Sequence, residues 1–295
     1  MENALEIKDL RKEYPGFRLR DVSFVLPRGH IMGLIGPNGA GKTTVIKLIL
    51  NIVRPSAGKV KIFGLDNLSH EEEVKSRIGF VLDETPFYGY LKVDGIASVI
   101  APFYKAWDGA RFEMLCREFE LPLTKRVNAL SRGMKMKLAL AVALSHGAEL
   151  ILLDEPTSGL DPVFRRELIE RLSGLIQDGR TSVLFSTHIT SDLERIADYI
   201  TCLRDGELVF STTRDEILDK WALVKGATEL LDGETAKLLR NISRGPYGFT
   251  ALTADKEEAQ RRLAGRGAVV ERVHLDDLVF FLGREGRLER EDAHE

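Results

Sequence analysis

The octapeptide GPNGAGKT, Gly36–Thr43, narrows the possible folds of this chain more than any other stretch. It satisfies the spacing G-x-x-x-x-G-K-[ST] in full, and it lies between the short apolar run IMGLIG and the helical pattern KTTVIKLILNI. Strand, glycine-rich loop and helix in that order make half of a parallel βαβ unit, so the segment predicts an α/β protein. The residue types also predict a ligand. Gly36, Gly39 and Gly41, with Pro37, Asn38 and Ala40 between them, permit a tight turn whose N–H groups converge on phosphate oxygens. Lys42 brings a positive charge to β- and γ-phosphates, Thr43 offers a hydroxyl to Mg²⁺, and Thr44 reaches a further phosphate. An ordinary glycine-rich turn needs neither the lysine nor the threonines, so the segment points to a nucleoside triphosphate.

Patterning along the chain supplies the frame. ALEIKDLRKEY and RDVSFVLPRGH are β-rich with Pro and Gly stops, and KVKIFG and RIGFVLD read as further strands. SHEE, Ser69–Glu72, has the form of a capping box opening a short helix. Residues 84–148 are mostly helical in pattern and rich in aromatics, which predicts a helical insertion between two strands of the main sheet. ELILLDEP is then a buried strand, FRRELIERLSGLI an amphipathic helix, TSVLFSTH a strand, SDLERIA a helix, and YITCLRDGELVFS a hairpin around Asp205-Gly206. TRDE, Thr213–Glu216, is a second capping box. This alternation implies a mainly parallel, three-layer core. The remainder has short strand and helix signals, including GFTALTA, KEEAQRRLAG, AVVERV and LDDLVFFLG, and predicts a small α+β appendage. The expected division is 1–213 for the main domain and 214–295 for the appendage, whose charge-rich end is expected to fray.

Two further segments carry chemistry. LILLDEP ends a buried strand with Asp154 and Glu155, where a parallel sheet presents side chains to its ligand crevice. Adjacent strand residues point in different directions, so Asp154 is placed to hold Mg²⁺ and Glu155 to polarise the attacking water. LSRGMKMKLALAVAL, Leu130–Leu144, opens on a hydroxyl, an arginine and a glycine and continues as a helix without acidic residues. Its start offers free N–H groups and a positive dipole end to a second anion.

Bulk properties exclude several classes. The chain has 44% hydrophobic and 29% charged residues, which supports a packed core. A net charge of −3 argues against a nucleic-acid partner. Cys116 and Cys202 lack CxxC or zinc spacing and read as reduced packing residues of a cytoplasmic protein. The acidic start MENALEIKDL does not read as a signal peptide. The longest apolar run, Leu138–Leu144, is far short of the roughly 20 residues of a membrane span.

Taken together, GPNGAGKTT, LSRGM, LILLDEPTSGLDP and STH, in this order and spacing, closely resemble the nucleotide-binding subunits of ABC transporters. The resemblance covers roughly Leu5–Thr213 and its motif set is highly specific. It implies a P-loop NTPase core with an antiparallel N-terminal β subdomain, the helical insertion and the C-terminal α+β appendage. It also implies ATP and Mg²⁺ as ligands. Tyr14 then stands where an aromatic stacks on adenine, His188 where a switch histidine meets the γ-phosphate, and Asp161 in the loop SGLD. In that family the segment matching LSRGM completes the site of a second subunit. Ser131 and the N–H of Gly133 would therefore face ATP held by a partner's Lys42, in a homodimer or heterodimer. A separately encoded transmembrane permease is the implied partner, with the ATPase peripheral on the inner face of the membrane and no nucleic acid involved.

The sequence departs from the family at two places. Asp83, followed by Glu84, occupies the slot of a glutamine that meets Mg²⁺ and the attacking water, so an extra negative charge is expected there. Arg132 and Met134 replace a glycine and a glutamine, and Arg132 either adds a cation to the phosphate site or points to solvent. Phe87, Tyr88 and Tyr90 line the permease groove on one reading and form the core of the insertion on another. The C-terminal part, ending VHLDDLVFFLGREG, is most similar to ATPases of bacterial ABC-2-type exporters, in operons that respond to antibiotics and envelope stress. The rival is a soluble ABC ATPase acting on ribosomes or DNA. Such members carry two ATPase domains, long coiled coils or zinc inserts, none of which is evident here. A P-loop kinase is disfavoured by Glu155 in company with LSRGM and His188.

Overall fold

The computed structural model describes residues 2–82 and 87–282. Asp83 and Glu84 lie outside the described residues. Contacts divide the chain into two compact units, one of residues 1–188 with 203–208, the other of 189–202 with 209 onward.

The first unit opens with β1 (Asn3–Tyr14) and β2 (Phe17–Pro27), an antiparallel hairpin. β3 (Ile31–Ile35), α1 (Lys42–Ile49), β4 (Ala57–Ile62), β5 (Leu65–Asp66), α2 (Glu71–Ser76) and β6 (Ile78–Val81) follow in chain order. β4 pairs with the other side of β1 and β5 with β4, giving the antiparallel order β2-β1-β4-β5, the antiparallel N-terminal subdomain that the family resemblance implies. The helical insertion contributes α3 (Val93–Ile100), α4 (Gly109–Glu118) and α5 (Arg132–Ala143). The main sheet then resumes with β7 (Leu150–Asp154), crosses α6 (Pro162–Leu175) and returns as β8 (Ser182–Thr187). β3, β8, β7 and β6 are parallel neighbours in that order. β3, β7 and β8 are buried at every position, which is why they read as continuous apolar runs without alternation. α1 packs on β7, and α2 and α5 on β6, completing a three-layer α/β core.

One local expectation changes, and one pair of open alternatives is narrowed. Ser69 does not cap α2: its hydroxyl donates to Asp66 Oδ1 at 3.1 Å, and the same oxygen accepts from the N–H groups of Leu68 and Ser69. The Asx turn at Asp66 captures the serine, so the helix starts after His70 with Glu71, Glu72 and Glu73 in its first turn. In the insertion, Phe112 and Phe119 are core, but Tyr88 and Tyr90 are 64% and 66% exposed and stack on each other at 5.6 Å. The two tyrosines are therefore surface residues, while Phe87 is half-buried.

The second unit holds α7 (Thr190–Ile196), most of β9 (Tyr199–Arg204) and β10 (Glu207–Thr213), and α8 (Arg214–Lys220). Thr213 caps α8 by accepting from the Glu216 N–H, as its box predicts; the Glu216 carboxylate turns instead to Thr212 and Lys220. β11 (Ala222–Gly226), α9 (Gly233–Leu238), β12 (Arg240–Gly245), β13 (Gly248–Thr253), α10 (Lys256–Leu263) and β14 (Val269–Arg272) follow. They form a split β-α-β-β-α-β arrangement with the antiparallel order β12-β13-β11-β14. Its core joins Val224, Phe249 and Ala251 from the sheet to Ala259 and Leu263 from α10. A last helix, 275–282, is tied to α7 by Thr190 Oγ1 donating to Asp276 and by the Leu275 N–H donating to Glu194 at 2.7 Å.

Candidate active site

Three neighbouring strands of the parallel sheet end at the same edge. β3 runs into Gly36, β7 into Glu155 and β8 into His188, and the register sets Asp154 beside Ser186 and Ile35 beside Thr187. The C-terminal edge of a parallel sheet is where such proteins place ligands.

The loop after β3 leads directly into α1, with Gly41 as N-cap in a left-handed conformation, φ 108°. Lys42 is 6% exposed, and its Nζ donates to the carbonyls of Gly36 at 2.8 Å and Pro37 at 3.3 Å. It also stands 3.4 Å from Glu155 Oε1. Asn38, Gly39, Ala40, Gly41, Lys42, Thr43 and Thr44 line a cleft of about 440 Å³ together with Phe17 and Glu155. The loop segment predicted to grip phosphate is thus a cleft wall, with the helix N-terminus aimed along it.

The acids have distinct settings. Asp154 is 2% exposed, and its Oδ2 accepts from Thr43 Oγ1 at 2.8 Å and its Oδ1 from Ser186 Oγ at 2.5 Å. A threonine hydroxyl beside a buried carboxylate is a hard-oxygen pair suited to Mg²⁺. Glu155 takes φ +50°, rare for a residue with a Cβ. Its N–H is held by the Ser186 carbonyl at 3.0 Å and by Ser186 Oγ at 3.2 Å, which secures the strained backbone. That turn swings the carboxylate away from the line of β7 and toward both Lys42 and His188. His188 Nδ1–H donates to Glu155 Oε2 at 2.7 Å, leaving Nε2 as the outward nitrogen.

Sequence reasoning overlooked two residues here. Ser186, the serine of STH, organises both acids; beyond that motif its signal was a hydroxyl at the end of an apolar strand. Phe17 lines the cleft, whereas Tyr14, its partner across the β1–β2 turn, is 39% exposed and does not, with the Lys12 ammonium 5.2 Å above its ring.

Ser131, Gly133 and Asp161 belong to another patch. Ser131 Oγ caps α5 by accepting from the Met134 N–H at 3.2 Å, and Asp161 caps α6 by accepting from Val163 and Phe164. The Phe164 N–H, first among these, holds the Asp161 carboxyl below its ordinary range. Gly133 faces Leu160, and the exposed Arg132 lies along the bare backbone of Gly159. The helix tip and the loop 158–161 are therefore adjacent, and none of their residues lines the Lys42 cleft.

A phosphate loop, a buried hydroxyl–carboxylate pair and a glutamate–histidine pair at one sheet edge define a P-loop nucleotide hydrolase. The chain belongs to the ABC transporter family, as an ATP-binding, ATP-hydrolysing subunit: the family model described as ABC transporter matches residues 19–158. It is 31% identical to the ABC transporter ATP-binding protein YtrB of Bacillus subtilis (strain 168), over 76% of each chain. It is 32% identical to the bacitracin transport ATP-binding protein BcrA of Enterococcus faecalis, over 86% of this chain and 82% of that one. A solved ATP binding subunit of an ABC transporter superposes with a TM-score of 0.66 at 32% identity, covering 72% of this chain and 91% of the other. Among the described residues no helix is long and apolar enough to cross a membrane.

Proposed function

We propose that the chain powers export through a separately encoded permease, working on the inner face of the membrane as one of two ATPase protomers. The observation that carries this is the division of labour just described: one cluster builds a cleft with its own carboxylates, and the Ser131–Gly133 tip stands outside it. ATP between two copies would use both. Likeness to a protein named for bacitracin transport supports an exporter acting on antibiotics or envelope-active compounds. Residues 214–295 are then an accessory region, and the exposed Tyr88 and Tyr90 suit a groove that receives a permease helix. Affinity purification of the full chain with its native membranes is expected to recover a polytopic membrane protein; ribosomes or nucleic acid in its place would favour the soluble alternative.

Chemically, Lys42 exchanges Glu155 for phosphate oxygens, and the freed carboxylate accepts the proton of the attacking water. His188 keeps Glu155 oriented through Nδ1–H and presents Nε2 to the γ-phosphate. Thr43 and Asp154 would hold Mg²⁺, which supplies neutralisation of charge on the β- and γ-oxygens.

Two predictions follow from individual positions. Alanine at Phe17 is expected to weaken ATP binding roughly tenfold through loss of a stacking face, against less than about twofold for Tyr14→Ala. Titration of both variants with a fluorescent ATP analogue measures this, and the reverse order would return the adenine platform to Tyr14. Asp83→Gln, which removes the additional acid, is expected to leave steady-state ATP hydrolysis equal or higher. A collapse of activity would make Asp83 an essential metal ligand.

A further inference from the structure

We propose that Gly206 is a positioning residue of the phosphate loop: its N–H holds the Ala40 carbonyl outward and so aims the Gly41 N–H into the cleft. The inference rests on that cleft being the ATP site. Asp205 and Gly206, at φ 48° and 79°, form the two central positions of the tight β9–β10 turn. The Gly206 N–H donates to the Ala40 carbonyl at 3.2 Å, and the Gly206 carbonyl accepts from the Arg20 N–H at 2.7 Å. The turn is thereby wedged between β2 and the phosphate loop. The fit is tight: a Cβ on Gly206 would lie 1.8 Å from the Arg18 carbonyl oxygen. At the other end of the loop, a Cβ on Gly36 would lie 2.2 Å from the Leu203 carbonyl oxygen. Both ends of the phosphate loop therefore abut the backbone of one hairpin, Gly36 at β9 and Ala40 at the turn that follows it.

A trans peptide plane points its C=O and N–H in opposite directions. Once the Ala40 carbonyl faces the turn, the N–H of the same peptide unit, that of Gly41, faces away from it, into the cleft that Gly41 lines. A donor oriented before the anion arrives needs no reorganisation on binding. Arg20 and Glu207 brace the arrangement, with Arg20 donating to Glu207 Oε1 at 2.6 Å.

The test uses the full chain, ATP as the calorimetric ligand, steady-state hydrolysis and a thermal melt for folding. Gly206→Ala is expected to raise the Kd for ATP about tenfold, with kcat at saturating ATP within about twofold of the wild type. Because that Cβ must displace Arg18, a second set is independent of it. Arg20→Glu and Glu207→Arg are each expected to raise KM roughly threefold to fivefold, and the double swap to restore it to within about twofold, the scale of an exposed ion pair. Folded variants that bind ATP like the wild type, or a swap that fails to restore KM, would overturn the proposal. Failure of the wild type itself to bind ATP would overturn the site and this inference with it.

Discussion

Glu155→Gln is expected to lower kcat by about 10²–10⁴-fold while ATP remains bound, because an amide keeps the shape of the carboxylate but accepts no proton. The side chain is 16% exposed and held between Lys42 and His188, so an isosteric change leaves the cleft standing. With hydrolysis blocked, ATP persists as the adhesive between protomers, and the variant should elute as a dimer with ATP and Mg²⁺ and as a monomer without them. A monomer under both conditions, with ATP bound, would refute the sandwich. The left-handed backbone at Glu155 sharpens the contrast with neighbouring substitutions: the residue is poised by Ser186 from β8, not by its own strand.

Ser131→Arg is expected to cost about 10²–10³ in turnover and to leave the single-chain ATP affinity unchanged. Ser131 caps its own helix and does not line the cleft, so an effect on hydrolysis in a variant that melts like the wild type is expected to come through a second protomer. Mixing supplies the decisive form of the experiment. A Ser131→Arg protomer retains Lys42, and a Lys42→Ala protomer retains Ser131, so their mixed dimer contains one intact composite site. Recovery of hydrolysis from two inactive proteins is the expected result. A matched loss of ATP affinity in the isolated Ser131→Arg chain would instead place the serine in its own cleft.

Much of the candidate site is legible in the sequence. Gly36–Thr44 and the pair Asp154-Glu155 carry their meaning in contiguous residues, since loop conformation and helix-terminus polarity are local properties. The buried strands announced themselves as apolar runs. What the sequence did not resolve was which neighbour a side chain would choose. Ser69 had the right spacing for a cap, but Asp66 three residues earlier competed successfully for its hydroxyl. The resemblance singles out Tyr14 as the adenine aromatic, while its partner across the β1–β2 turn, Phe17, is the ring that lines the cleft wall. The tyrosines at 88 and 90 were equally consistent with core and with surface, because aromatic content alone does not specify a face.

Residue order along the chain settled the chemical vocabulary: a phosphate loop, two acids at a strand end, a histidine after the next strand and a serine-led helix. Their assembly depended on pairing across distance. Thr43 meets Asp154 from 111 positions away, Ser186 reaches Asp154 from 32, and the Gly206 turn closes on Ala40. Such contacts are set by parallel strand register and by close backbone approach, which arise only when the sheet is complete, whereas a loop's donors and a helix's dipole are present as soon as the local segment folds.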